Sequence, residues 1–332
     1  MLIHNNLPIV LFFQSLGEWL TTPMKSFTFL GQEEFFLLFM PFLYWCLDVR
    51  LGLRMGVILM LSNGVNAILK VGFHSPRPYW QSTQVRALVS ESSFGMPSGH
   101  AMNAASLWGL LAASQRRRWL WILLLLIILL IGLSRVYLGV HFFEDVLMGW
   151  AIGFLLLWAF LRLGKPFSNW LAKQTLTAQV LVSLGATLLM IAVGAGTKAM
   201  LAGWQVPSAW VENATRAAPQ AGPINPLSLS GLITSASALF GLACGAFWLS
   251  KRRGFNVGGT WGKRILRFPL GLVGVLVIWF GLGAIFPHGD DLIAHALRFI
   301  RYSLIGFWIS ALAPMLFIRL GLATTQRNEH PR

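Results

Sequence analysis

Four ionisable residues, Arg135, His141, Glu144 and Asp145, fall within eleven positions of the stretch SRVYLGVHFFEDVLMGW, residues 134 to 150. The run before it is apolar, so charge placed here needs a chemical reason. His141 and Asp145 are four residues apart, one helical turn. A carboxylate bonded to one imidazole nitrogen fixes the tautomer and leaves the other nitrogen free to attack an electrophile. This is the orienting logic of a catalytic triad, with histidine itself as the nucleophile. Two other stretches carry complementary groups. KVGFHSPRP places Lys70 and Arg77 around a turn ended by Pro78, and MPSGHAMNAASLWGLL places Ser98, Gly99 and His100 at the start of a helix. Lys70, Arg77 and Arg135 are three cations without a matching carboxylate cluster, so an anion is expected between them. A phosphoryl group fits, because arginine offers it paired hydrogen bonds and lysine a compact charge. The backbone N–H groups of Gly99 and His100, opening a helix, add donors. His100 is then a second imidazole, suited to protonating a leaving oxygen.

Apolar elements must hold these groups. Of the 332 residues, 56% are hydrophobic and 11% charged, against about 25% charged in a soluble domain. The chain therefore reads as an all-α, polytopic membrane helix bundle. About nine spans of membrane-crossing length are predicted near residues 33–49, 53–73, 100–115, 119–138, 142–163, 177–203, 229–250, 269–287 and 299–319. Residues 8–22 read as an amphipathic or re-entrant segment, and no cleavable signal peptide is expected. Most of the 26 basic residues fall in alternate loops: Arg50 and Arg54, Arg116 to Arg118, Arg162 to Lys173, Lys251 to Arg267, and Arg319 onward. That side, with the C-terminus, is predicted to be cytoplasmic. The opposite loops, 74–99, 139–141, 204–228 and 288–298, then place all three chemical stretches at one membrane surface, facing the periplasm or exterior. The 204–228 loop, rich in Pro, Ala and Asn, reads as an exposed linker. The net charge of +15 is explained by these loops, so a nucleic-acid partner is excluded.

The three stretches resemble the signatures of the type 2 phosphatidic acid phosphatase superfamily: Lys-x6-Arg-Pro at Lys70 to Pro78, Pro-Ser-Gly-His at Pro97 to His100, and Ser-Arg-x5-His-x3-Asp at Ser134 to Asp145. The resemblance covers about residues 30 to 165. It implies that His141 forms a phosphohistidine, Asp145 supports it and His100 is the acid. It also implies that Lys70, Arg77, Ser98, Gly99 and Arg135 bind phosphate. On this reading residues 1–170 are a catalytic membrane domain built on the first five helices, and residues 175–320 are additional helices of unassigned role.

The other reactive residue types read as structural. Cys46 and Cys244 lie in apolar runs and are expected to pack as inert thiols. His74 is a loop histidine beside a proline-rich turn, and Glu144 points about 100° away from Asp145 on a helix. His288, Asp290 and Asp291 read as a solvated outer loop, and Lys198 as an intramembrane lysine without a nameable partner. The expected activity is a metal-independent phosphatase on a lipid phosphate or polyprenyl diphosphate. No cofactor, no metal and no obligate protein partner beyond membrane lipids is expected. A phosphotransferase on the same scaffold is the runner-up. A lipid transporter or flippase fits less well, because binding a headgroup needs no oriented nucleophile.

Overall fold

The computed structural model describes residues 6–115, 117–252, 254–287 and 289–326. In chain order it contains α1 (Leu7–Ser15), a 3₁₀ turn (Glu18–Leu20), α2 (Thr21–Phe29) and α3 (Glu33–Phe42), which runs into a π-helical turn (Leu43–Leu47). Then come α4 (Val49–Phe73), the short α5 (Pro78–Gln81) and α6 (Gly99–Asn103). A second π-helical turn (Ala104–Trp108) joins α6 to α7 (Gly109–Gln115). The remainder is α8 (Arg118–Tyr137), α9 (Phe143–Ala172), α10 (Leu176–Ala199), α11 (Ser208–Ala217), α12 (Ser230–Ser250), α13 (Trp261–Ile285), α14 (Leu292–Phe307), a π-helical turn (Trp308–Leu312) and α15 (Ala313–Arg319). Among the described residues there is no strand, and the one isolated bridge pairs Asn256 with Thr324.

The all-α membrane class stands, but the count of nine spans does not. Among the described residues, seven helical stretches are long and apolar enough to cross a bilayer. The two others expected, near 33–49 and 100–115, are the runs Glu33–Leu47 and Gly99–Gln115. At about 1.5 Å per residue both fall short of roughly 30 Å of hydrocarbon. Large apolar side chains such as Ile122, Leu155, Trp158, Leu189 and Val277 lie exposed on the long helices, as lipid-facing residues must. The expected 8–22 segment is two short helices broken at Gly17, whose φ of 110° suits glycine.

The chain forms two compact units. One comprises Met1–Phe36, Val65–Phe160 and Val193–Leu229, and the other Leu37–Gly64, Leu161–Ala192 and Ser230–Arg332. In the first unit the expected linker 204–228 is instead partly helical and packed. Trp210 of α11 is buried, with its ring 6.2 Å from Trp80 and 6.0 Å from Trp204. Asn213 Nδ2 donates to the Trp80 carbonyl (3.0 Å), and the Asn225 amide donates to the Ser92 carbonyl (3.1 Å). The tryptophans supply the apolar area that the Pro/Ala-rich composition conceals. Within the second unit, Arg267 belongs to α13 rather than to a basic loop. It is fully buried and donates to the carbonyls of Trp45, Val257, Gly258 and Leu322. Cys46 and Cys244 are free, buried thiols. Asp291 caps α14 by accepting from the Ala294 amide, and Ser230 donates to Asp290. His288 lies outside the described residues. Lys198 is half-buried in the last turn of α10.

The register of α9 against α6 sets the distance between the two halves of the site. Gly149 and Gly153, four residues apart on α9, let the α6 backbone approach directly. A Cβ on Gly149 would lie 2.6 Å from the Ser98 carbonyl oxygen, and one on Gly153 2.6 Å from that of Met102. Small residues at this spacing permit close helix packing inside a membrane. Gly164 on the same helix faces open space. Gly153→Leu is therefore expected to lower stability by about 1–3 kcal/mol through overpacking and to reduce phosphatase activity, whereas Gly164→Leu leaves both unchanged. Thermal melting in detergent with parallel activity assays checks this, and equal behaviour of the two variants would exclude the packing role.

Candidate active site

The sequence of α4 carries helix to Phe73 and ends it at His74, a non-glycine residue at φ 37°. Its ring packs against Phe94 and Trp204, and its Nδ1 lies 3.1 Å from the Gly72 carbonyl. The turn that follows brings Lys70, in the last helical turn, close to Arg77, and Pro78 then starts α5. Ser98 caps α6 by accepting from the Ala101 amide, so His100 sits in the first turn of that helix. Arg135 lies in the last turn of α8, and Asp145 occupies the first turn of α9. His141 lies in the turn between them and Glu144 in the same first turn as Asp145.

Long-range bonds draw these pieces together. The Ser98 amide donates to the Asp145 carbonyl (2.9 Å), joining the second stretch to the third. Asn66 Nδ2 on α4 donates to the Pro97 carbonyl (3.1 Å), and Gly99 packs beside the same Asn66 amide. Arg77 is fully buried. Its Nη1 donates to the Val140 carbonyl (2.8 Å), and its Nε and Nη2 reach the carbonyls of Ser93 and Phe94.

The histidine geometry fixes a tautomer. Arg77 Nη1 lies 3.2 Å from His141 Nε2, and Asp145 Oδ2 lies 3.2 Å from His141 Nδ1. A guanidinium can only donate, so Nε2 is the accepting nitrogen with the lone pair, and Nδ1–H donates to Asp145. The same Asp145 oxygen accepts from the Phe142 amide (2.9 Å), which holds the carboxylate still. Burial, then the charges of Arg77, Lys70 and Arg135, keep the His141 imidazole well below its ordinary value near 6.5. It is therefore neutral at physiological pH. His100 is half-buried, and its Nε2 is buried without a hydrogen-bond partner.

The cations do not face an empty space. Glu91 stands among them, with Oε1 2.5 Å from Arg135 Nη2 and Oε2 3.8 Å from Arg77 Nη2. Arg135 Nη1 also donates to Thr28 Oγ1, and Lys70 Nζ donates to Ser93 Oγ and the Phe94 carbonyl (2.8 Å each). Burial alone would raise the Glu91 carboxyl, but Arg77 and Arg135 outweigh it and hold the group well below the usual carboxylate range. The sequence reading thus found Lys70, Arg77, Ser98, Gly99, His100, Arg135, His141 and Asp145, and the fold gathers them at one locus. It missed Glu91, Ser93, Thr28 and Asn66. For Glu91 a signal existed: buried cations require a counter-charge, and SESSFG holds the acidic residue nearest in sequence before His100.

Residues 51–168 match a family model described as the PAP2 superfamily, and residues 233–325 match that of the PAP2 superfamily phosphatase transmembrane extension. The chain is 34% identical over 151 residues to phosphatidylglycerophosphatase B of Bacillus subtilis (strain 168), covering 42% of this chain and 72% of that protein. With sphingosine-1-phosphate phosphatase 1 of Rattus norvegicus it shares 30% identity over 169 residues, 49% of this chain and 39% of the relative's own length. Similarity to glucose-6-phosphatase 3 of Bos taurus is lower, 27%, yet it extends over 91% of both chains. An all-helical membrane protein with all three signature stretches at one locus, and with these relatives, belongs to the PAP2 superfamily of membrane phosphatases.

Proposed function

We propose that this chain is a metal-independent lipid phosphate or diphosphate phosphatase acting at the outer, periplasmic face of the inner membrane through a phosphohistidine. The observation that carries the reading is the oriented His141, its Nδ1–H on Asp145 and its Nε2 lone pair beside Arg77. Residues 1–170 carry the chemistry. Lys70, Arg77 and Arg135, with Ser98 and the Gly99 and His100 amides, take the phosphoryl oxygens. The three cations supply the charge neutralisation that metal ions provide in two-metal phosphatases. As phosphate arrives, Arg77 exchanges its contact with Nε2 for one with a phosphoryl oxygen, freeing the lone pair. Nε2 then forms a bond to phosphorus while the P–O ester bond breaks, and His100, which takes up a proton as the phosphate dianion seats beside it, gives that proton to the departing oxygen. Water attacks the phosphohistidine next, breaking the P–N bond. Its proton returns to His100, and orthophosphate leaves.

The named relatives support a lipid phosphate as substrate, since two of them are a phosphatidylglycerophosphatase and a sphingosine-1-phosphate phosphatase. The alignment with glucose-6-phosphatase 3 over 91% of both chains favours a second reading, a small water-soluble phosphomonoester. A panel of phosphatidylglycerophosphate, phosphatidic acid, sphingosine-1-phosphate, a polyprenyl diphosphate and glucose-6-phosphate, assayed with purified protein in EDTA, separates the two. Turnover of a lipid substrate at full rate in EDTA, with inhibition by vanadate, is expected. Activity lost in EDTA and restored by magnesium would overturn the metal-independent reading, and turnover of glucose-6-phosphate alone would select the second.

Orientation rests on the basic loops. A cysteine at position 117 is expected to stay unlabelled by an impermeant thiol reagent in intact cells, while one at position 84 is labelled. The reverse pattern would invert the topology.

The roles of the histidines are tested in one single-turnover series. His141→Ala abolishes phosphoenzyme for every substrate. Asp145→Asn retains binding but slows attack by several orders of magnitude, as removing a triad carboxylate does by about 10⁴. His100→Ala slows phosphohistidine formation from alkyl monoesters by roughly 10²–10⁴, and far less from p-nitrophenyl phosphate, whose leaving group needs no proton. Equal losses for good and poor leaving groups would reduce His100 to a phosphate ligand.

A further inference from the structure

Glu91 makes its strongest contact with the group expected to hold phosphate. Its carboxylate lies 2.5 Å from Arg135 Nη2, so that N–H cannot serve a second anion while the contact lasts. A phosphate dianion seated on Arg77 and Arg135 would also stand against the carboxylate, with like charges at close range in a buried site. The two anions therefore compete for one position.

The surroundings allow the carboxylate to leave while its backbone stays. Tyr79 Oη donates to the Glu91 carbonyl (2.9 Å) and accepts from the Glu91 amide (3.0 Å), clamping the main chain from both sides. The side chain is 29% exposed. It borders a cavity of about 430 Å³ lined by Tyr79, Ser90, Ser92, Thr215 and Ile224 among others. The far wall comes from α11 and the chain after it, pinned by the bond from the Asn225 amide to the Ser92 carbonyl. Rotation about the side-chain torsions moves the carboxylate from the guanidinium groups into a space faced by hydroxyls.

We propose that Glu91 is the resident anion of the phosphoryl seat, and that substrate phosphate binds by displacing its carboxylate into the bordering cavity. This rests on the reading of Lys70, Arg77 and Arg135 as phosphate ligands. Glu91 thereby sets an affinity threshold. The apparent dissociation constant of any anion is the intrinsic one divided by the fraction of molecules whose seat the carboxylate has left. The factor is the same for every ligand, because it belongs to the free protein. If Glu91 instead stayed beside the ligand, repulsion would grow with ligand charge, and a dianion would suffer about twice the free-energy cost of a monoanion.

That difference provides the test. Binding of phenylphosphonate (a dianion at pH 8.5) and of its methyl monoester (a monoanion) is measured by calorimetry on the purified full chain, wild type against Glu91→Gln. Both ligands are expected to bind roughly tenfold or more tightly to the variant, by the same factor. Glu91→Ala removes the carboxylate by a second route and must reproduce the gain. No gain in either variant, or a dianion gain near the square of the monoanion gain, overturns the displacement. Arg135→Ala keeps the two readings apart. If it binds both ligands as wild type does, the phosphate-ligand reading itself fails. If it weakens them while the Glu91 variants show no gain, the displacement alone fails.

Discussion

The site depends on one buried guanidinium. Arg77 contacts the chain ahead of the Pro-Ser-Gly-His stretch through Ser93 and Phe94, the turn after α8 through Val140, and the His141 ring through Nε2. A cation without exposure is tolerable in a membrane-embedded unit only if its donors are used, and using them fixes three segments that are far apart in sequence. The imidazole tautomer follows from the same contact, and the Arg77 charge adds to the burial that depresses the basicity of His141. Positioning and chemistry are therefore not separable at this residue.

A second buried arginine, in the other compact unit, shows what a purely architectural solution looks like. Arg267 spends its guanidinium on backbone carbonyls of four residues, none of which can move away without unfolding local structure. Arg135, by contrast, leaves Nε without a hydrogen-bond partner and spends Nη2 on a side chain with rotatable torsions. Carbonyl ligands tie a cation permanently to its own fold. A side-chain carboxylate with rotatable torsions is not tied to the backbone in that way.

The parts legible in the sequence were those encoded at short range. Lys70 and Arg77 across one turn, Ser98 as a helix cap with His100 behind it, and His141 four residues before Asp145 each announce a local geometry. Loop charges predict one membrane surface for all three, and the fold gathers them at one locus. Glu91 was hidden because SESSFG looks like any polar connection, and its meaning comes only from cations on other elements. Gly149 and Gly153 were hidden because a glycine gives no periodic signal, and its use is visible only through the α6 carbonyls it admits. The 204–228 segment misled by composition: Pro and Ala outnumber the two tryptophans that make it pack. Span counting failed for Glu33–Leu47 and Gly99–Gln115, where apolar character was right and helical length was short.

The packing of α11 over Trp80 and Ser92 has a consequence for the order in which the protein is made. Synthesis runs from the N-terminus, and early segments begin to fold before later ones exist. When Asp145 has left the ribosome, all three signature stretches are present, but Trp210, Asn213 and Asn225 are not. The nascent chain therefore passes through a stage in which His141 and Asp145 are present and the segment that packs on Trp80 and Ser92 is still being translated. The site is completed only when α10 has been made and the chain returns, so the final shape of the cavity beside Glu91 is among the later features to form.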